Sequence, residues 1–208
     1  MKYPENIKEL ASLPIDMMGL IFYEKTKRYA GNLPASELRM VPSNIQKVGV
    51  FVNASEEDIF DKIKKYDLQV VQLHGNESPD FCRKIKKAGV KVIKSFSIEG
   101  VEDFKKLHLY ENICDYFLFD TKTPLYGGSG NKFDWGILSS YTGETPFILS
   151  GGIGPEDVES IKKLQNPKLY GIDLNSRFET SPGEKDVEKL KEFLSLFRVN
   201  LINNVNSM

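Results

Sequence analysis

Short apolar runs rich in β-branched residues recur along the chain at intervals of roughly 20 to 30 residues. Polar stretches separate them, and several of these have the apolar spacing of an amphipathic helix. Such alternation predicts repeated βα units and a parallel sheet that is covered on both faces. We predict seven strands, over residues 17–22, 48–52, 70–73, 90–93, 116–119, 147–149 and 169–174.

Helix-start signals lie between these strands. Ser55 precedes apolar residues at helical spacing, with Asp58 three positions later, and Ser78 is followed directly by a proline. Gly154, also followed by proline, and Asp186 open two further stretches of the same kind. The chain therefore has a helix after most of its predicted strands.

The N-terminal segment bears on whether the sheet is open or closed. Residues 5–13 have a helical pattern, and the four residues before them are too few for a strand. A seven-stranded barrel would leave two strand edges unpaired, which is unfavourable. We therefore expect an α/β chain forming a single (β/α)8 TIM barrel domain over residues 1–208 that lacks its first strand at the N-terminus.

Composition excludes several classes of protein. With 40% hydrophobic and 27% charged residues, the chain can bury one sizeable core. Its 28 basic and 29 acidic side chains give a net charge of -1, which does not favour a nucleic-acid partner. No apolar run approaches the ~20 residues of a membrane span, and no signal peptide is evident. We expect a cytoplasmic protein without nucleic-acid or membrane partners.

In a barrel, catalytic side chains follow the carboxyl ends of the strands. Arg28 follows the first predicted strand and could bind a carboxylate or phosphate, although a charged loop is usually solvated surface. Gln72 and His74 share one face at the end of the third strand. Asp120 ends the apolar fifth strand, where surroundings of low dielectric suit a general acid; the alternative is an aspartate that caps a turn.

The loops after the last two strands are candidates for a phosphate site. The loop after the sixth predicted strand contains Ser150, Gly151 and Gly152, and the loop after the seventh contains Asn175, Ser176 and Arg177. Loops at these places in a barrel commonly bind phosphate through backbone N–H groups. The glycine-rich stretch 121–135 has the composition of a mobile lid, or equally of an inert flexible turn.

The order and spacing of several motifs resemble the phosphoribosylanthranilate isomerase family over essentially the whole chain. The matching segments are Gly19-Leu20-Ile21-Phe22-Tyr23 with Lys27-Arg28-Tyr29, Val48-Gly49-Val50-Phe51-Val52-Asn53, Val71-Gln72-Leu73-His74-Gly75, Phe119-Asp120 with Gly127-Gly128-Ser129-Gly130 and Phe133-Asp134-Trp135, Leu149-Ser150-Gly151-Gly152, and Pro182-Gly183-x-Lys185-Asp186.

The resemblance implies an Amadori rearrangement of N-(5-phosphoribosyl)anthranilate without a metal or organic cofactor. It implies that Asp120 is the general acid, that Arg28 binds the anthranilate side, and that segments 150–152 and 175–177 bind the phosphate. The family's general base is a cysteine followed by glycine at the end of the first strand. This chain resembles the family from just beyond that pair, so we expect impaired activity.

Neither cysteine of the chain is a plausible substitute for that base. Cys82 lies within a predicted helix, and Cys114 lies on the amino-terminal side of its strand. Two cysteines also do not form a disulfide framework, and neither has the spacing of a metal-binding pair. We expect both to be reduced thiols and predict no metal site.

Two other functions remain open at this point. A non-catalytic or weakly active barrel could retain the phosphate site and bind anthranilate-like sugar phosphates without turnover. An indole-3-glycerol-phosphate synthase is less favoured, because it should have lysine and glutamate at several strand ends, where this chain has Gln72, His74 and Asp120. In each case the partner is a small phosphorylated molecule, and we expect a monomer.

Overall fold

The fold of the chain is a parallel sheet of seven strands, described here from a computed structural model for residues 1–121 and 135–205. All seven predicted strands are present, and each pairs with its neighbour in sequence order. They are β1 (Met17–Ile21), β2 (Gln46–Phe51), β3 (Val70–Leu73), β4 (Lys91–Ile98), β5 (Tyr116–Thr121), β6 (Phe147–Ser150) and β7 (Leu169–Ile172).

The sheet has the form of a half-barrel, in a TIM-barrel-like arrangement. Every pairing from β1 to β7 is parallel. Within the described ranges, β1 and β7 form the two edges of the sheet and are not paired with each other. The predicted fold class and the parallel topology are therefore confirmed.

Helices connect most of the strands and cover the outer face of the sheet. The α-helices are α1 (Pro4–Leu10), α2 (Glu56–Tyr66), α3 (Pro79–Lys86), α4 (Val158–Lys162) and α5 (Val187–Val205). Short 3₁₀ helices occupy Ala35–Leu38, Val101–Leu109, Trp135–Ser140, Pro155–Asp157 and Ser176–Phe178. Ser55 and Ser78 accept backbone N–H bonds at the starts of α2 and α3, as their positions in the sequence predict.

Several boundaries differ from the predicted ones. β4 extends five residues beyond its predicted end, to Ile98, because the pattern there changes from apolar to mixed while pairing with β5 continues. The helix predicted after Gly154 begins as a 3₁₀ turn before α4. A small antiparallel hairpin, β8 (Glu179–Ser181) and β9 (Glu184–Lys185), was not predicted from the sequence.

Two layers of apolar side chains hold the sheet. One small layer lies on the inner face and takes one residue from each of five consecutive strands, namely Val48, Val70, Ile93, Leu118 and Ile148. The larger layer lies between the sheet and the helices and contains stacked aromatic rings. Phe119, for example, is fully buried and stacks on Phe147 with 4.7 Å between ring centroids.

No helix in the described ranges is long and apolar enough to cross a membrane.

The buried ring of Phe119 generates a stability prediction. Phe119→Ala should lower the free energy of unfolding by about 3–5 kcal/mol, because it removes the contacts with Phe147 and Tyr141 and leaves a cavity. Urea unfolding followed by circular dichroism measures this change. The matched control is Leu109→Ala at a side chain that is 54% exposed, for which about 0.5 kcal/mol or less is expected. Equal losses in the two variants would contradict this packing.

Candidate active site

Polar side chains collect at the carboxyl end of the sheet because side chains alternate along each strand. On several strands, a polar residue lies two positions after an apolar residue of the inner layer and therefore faces the same side of the sheet. Thus Gln72 follows Val70, and Asp120 follows Leu118. The same step places Ser95 on β4 and Ser150 on β6 toward the inner face. The sheet therefore presents a polar rim above an apolar inner layer.

At the centre of this rim, Gln72 and His74 lie together as the alternation predicts. The Gln72 side-chain amide nitrogen lies 3.0 Å from His74 Nδ1 and donates to Ser95 Oγ at 3.2 Å. An amide nitrogen can only donate, so Nδ1 accepts and the proton of the neutral ring lies on Nε2. His74 Nε2 in turn lies 3.6 Å from Asp120 Oδ2.

Asp120 is more accessible than its sequence surroundings suggest. Its side chain is 35% exposed, although the residue before it, Phe119, is fully buried. Phe119 points outward to the helices, and Asp120 points inward at the rim. The carboxyl group is thus open to a ligand, and its separation from His74 is longer than a hydrogen bond. This arrangement lets Asp120 exchange a proton with a bound molecule.

The two predicted phosphate segments lie side by side. Gly151 and Gly152 have φ angles of 101° and 64°, a left-handed conformation that favours glycine. Ser150 Oγ donates to Asp173 at 2.9 Å, which joins the ends of β6 and β7. The guanidinium of Arg177 packs against the backbone of Gly154. The two loops are therefore adjacent on the rim.

Arg177 is held by an acidic partner rather than pointing freely into solution. Its Nη2 lies 2.5 Å from Glu156 Oε1, and both side chains are nearly half exposed. This ion pair joins the 3₁₀ turn after β6 to the 3₁₀ turn after β7. An exposed pair of this kind contributes little stability, so Arg177 can change partners at little cost when an anion binds.

Arg28 also has an acidic partner, which the sequence did not indicate. Its Nε and Nη2 atoms bind the carboxylate of Glu179 at 2.5 to 3.0 Å. Lys185 Nζ lies 3.6 Å from the same carboxylate and donates to Asn175 Oδ1 at 2.8 Å. The Glu179 side chain is only 5% exposed. The hairpin therefore holds Arg28 by one edge of its guanidinium and leaves Nη1 without a partner in the described contacts.

These contacts also connect the two edges of the half-barrel. Arg28 follows β1, whereas Glu179 and Lys185 follow β7. The side-chain amide of Asn6 both donates to and accepts from the Lys185 backbone, at 2.8 and 2.6 Å. The amino group of Met1 donates to the Gly19 carbonyl at 2.8 Å, and burial beside Lys185 lowers its pKa to about 5. Side chains and the Met1 amino group thus link the two edges of the sheet, which are not paired with each other within residues 1–121 and 135–205.

The hydrogen bond to Glu179 raises the pKa of Arg28 despite partial burial. Burial alone would raise the pKa of Glu179, but Arg28, Lys185 and the Gly183 N–H outweigh it and lower that pKa. Burial lowers the pKa of Lys185, and the attraction of Glu179 opposes this effect. The carboxylate is therefore ionised at neutral pH and fixes the cationic group beside it.

The two thiols lie far from the rim. Cys82 is buried in α3, and Cys114 is buried just before β5, at the opposite end of that strand from Asp120. Contact with Cys82 and burial raise the pKa of Cys114. Neither thiol is placed to act on a molecule bound at the rim. The stretch 121–135, considered above as a lid, lies almost entirely outside the described residues.

Comparison with known proteins decides the family. The family model described as N-(5'phosphoribosyl)anthranilate (PRA) isomerase matches residues 1–195. The chain belongs to this family. The isomerase of Parabacteroides distasonis is 50% identical over 196 residues, which cover 93% of this chain and 89% of that protein.

Solved structures agree with this assignment. The Thermotoga maritima phosphoribosyl anthranilate isomerase superposes with a TM-score of 0.77 at 32% identity, covering 96% of each chain. A phosphoribosyl anthranilate isomerase in complex with reduced 1-(o-carboxyphenylamino)-1-deoxyribulose 5-phosphate has a TM-score of 0.75 at 28% identity, covering 96% of this chain and 95% of the other. The resemblance found in the sequence motifs is therefore confirmed.

The ion pair between Arg28 and Glu179 generates a pH-dependent stability prediction. Glu179→Gln should lower the free energy of unfolding by about 1.5–3 kcal/mol at pH 7, because charge-assisted bonds to Arg28 are lost. The folded pKa of Glu179 lies below its ordinary value of 4.5, so its stabilisation is complete above that value and is lost as pH falls through the lower one. The variant should thus approach the parent chain in acid.

Urea unfolding at pH 7, 5, 4 and 3 measures this difference. Glu188→Gln is the matched control, because Glu188 forms an exposed ion pair with Lys191 on α5 and should leave stability nearly unchanged. A difference between Glu179→Gln and the parent that stays constant down to pH 3 would show that the ionised carboxylate is not the stabilising group.

Proposed function

We propose that this chain is an isomerase that converts N-(5-phosphoribosyl)anthranilate to 1-(2-carboxyphenylamino)-1-deoxyribulose 5-phosphate by an acid–base Amadori rearrangement, in tryptophan biosynthesis. The observation that carries this proposal is the accessible Asp120 carboxyl group beside His74 at the rim, in a chain of the isomerase family. The enzyme class is that of an intramolecular oxidoreductase acting on an aldose and giving a ketose.

The acid step follows from the geometry of Asp120. A protonated carboxyl group can donate its proton to the ribose ring oxygen, which opens the ring to a Schiff base. A general base then takes the proton from C2, which gives an enolamine that tautomerises to the ketone. We assign Asp120 to the first step and do not assign the C2 step to Cys82 or Cys114, which lie away from the rim.

We propose that the other site residues predicted from the sequence bind the substrate, most of them at its two ends. Arg28 would bind the anthranilate carboxylate through the guanidinium edge that Glu179 leaves open. At the other end, the loops 150–152 and 175–177 would bind the phosphate: Ser150, Gly151 and Gly152 from one loop, and Asn175, Ser176 and Arg177 from the other. Gln72 and His74 would contact the sugar between them.

The two alternative functions are not favoured. A non-catalytic binding barrel and an indole-3-glycerol-phosphate synthase both share the phosphate loops, but the family match and the named relatives point to the isomerase. We further propose a single domain over residues 1–208 that acts as a cytoplasmic monomer, with no metal or organic cofactor. Impaired turnover remains a prediction from the sequence.

Replacement of Asp120 tests the proposed acid. Asp120→Asn should lower kcat by about 10²–10⁴-fold, because an amide cannot protonate the ring oxygen. Steady-state turnover with N-(5-phosphoribosyl)anthranilate measures this loss. Asp61→Asn, at an exposed position of α2, is the matched control and should retain the parent rate. A loss of less than about tenfold in Asp120→Asn would mean that Asp120 merely caps a turn.

A further inference from the structure

A buried lysine lies directly beneath the turn that carries His74. Lys94 is on β4, and its side chain is 3% exposed. By alternation it is on the outer face of the sheet, so its stem lies toward the helices rather than toward the rim. Its ammonium group nevertheless reaches the segment after β3. A buried ammonium is unfavourable unless it is paired and hydrogen-bonded, so its contacts indicate what retains it there.

The contacts of this ammonium group are with the backbone on both sides of His74. Lys94 Nζ donates to the carbonyl oxygens of Leu73 at 3.2 Å and Gly75 at 2.9 Å, and to its neighbour Ser95 at 2.9 Å. All three N–H groups of an ammonium can be satisfied in this way. One cation therefore fixes the carbonyl before His74 and the carbonyl after it.

Glu77 completes this arrangement. Its carboxylate lies 3.3 Å from Lys94 Nζ and is 2% exposed. It accepts the N–H of Gly75 at 2.9 Å and that of Asn53 at 2.9 Å. A side chain at Gly75 would collide with Asn53, so the turn is closed tightly over the pair. The ion pair thus binds both the carbonyl and N–H groups of the turn.

His74 depends on this turn for its place beside Asp120. Its backbone N–H donates to the Phe51 carbonyl at 2.8 Å. Its ring accepts from Gln72 at Nδ1, so Nε2 is the ring nitrogen that lies toward Asp120. A displacement of about 1 Å can reduce catalysis by up to 10²-fold when a reacting group is misplaced. A residue that holds this turn can therefore affect the proton transfer by Asp120 without touching the substrate.

We propose that Lys94 is a positioning residue for the reaction: its buried ammonium holds the turn after β3 and so places His74 against Asp120. The proposal rests on the proposed role of Asp120 as the general acid. Lys94 does not itself reach the substrate.

The test is a double-mutant cycle between Lys94 and His74. Lys94→Met keeps most of the length of the side chain but removes its charge and its three N–H donors. It should lower kcat roughly 10- to 100-fold with less than a threefold change in KM. In a His74→Gln background the same replacement should cost less than threefold, because Lys94 acts through His74. An equal loss of kcat in both backgrounds would overturn the proposal, as would a Lys94→Met rate within twofold of the parent.

A matched control and a second variant separate this effect from misfolding. Lys91→Met, on the same strand but partly exposed, should keep kcat within about twofold. Lys94→Met alone leaves the buried carboxylate of Glu77 without its cation. The double variant Lys94→Met/Glu77→Gln removes that charge, so its thermal midpoint should be higher than that of Lys94→Met while kcat stays low. Recovery of both quantities together would mean that Lys94 only stabilises the fold.

A spectroscopic measurement distinguishes failure of this proposal from failure of the proposed acid. The chain has two histidines, so the ring signals of His74 in ¹⁵N-edited spectra have His108 as an internal reference. In Lys94→Met the His74 signals should shift and those of His108 should not. If Asp120→Asn stays active, the assignment of Asp120 as the acid fails, and the role of Lys94 is then judged from the His74 signals alone. Unchanged His74 signals in Lys94→Met would overturn that role, and shifted signals would support it.

Discussion

The register between neighbouring parallel strands is the constraint on which the site depends. Because all seven strands run in one direction, their carboxyl ends lie on one rim, and the alternation of side chains decides which residue there faces inward. Asp120 pairs in register with Ser97 on one side and Ser150 on the other. A shift of one residue would turn Asp120 toward the helices and Phe119 toward the rim. The apolar inner layer below the rim opposes such a shift.

Two charge pairs, each with a buried carboxylate, hold the loops above this rim. Lys94 and Glu77 organise the turn after β3, while Arg28 and Glu179 join the loop after β1 to the hairpin after β7. Buried pairs contribute little net stability compared with apolar packing, but loss of one partner is strongly unfavourable. They therefore define one arrangement of backbone and side chains. In this chain both pairs lie next to residues proposed to act on the substrate.

The sequence was sufficient for the strands and for the inward residues of the rim, since both follow from local periodicity. Gln72 and His74 were placed on one face by their spacing, and the structure shows them in contact. The partners of Arg28 could not be found in this way, because Glu179 is 151 residues away along the chain. Lys94 was missed for a similar reason. The alternation along its strand predicts that its side chain points away from the rim, and its contact with the turn after β3 depends on the pairing of two strands.

A crystal structure of the chain with reduced 1-(o-carboxyphenylamino)-1-deoxyribulose 5-phosphate would test the proposed substrate site most directly. We expect the phosphate to lie between Gly151-Gly152 and segment 175–177, the carboxylate to contact Arg28, and Asp120 to lie within hydrogen-bond distance of the sugar chain. A phosphate bound elsewhere on the sheet, or a carboxylate directed away from Arg28, would contradict it.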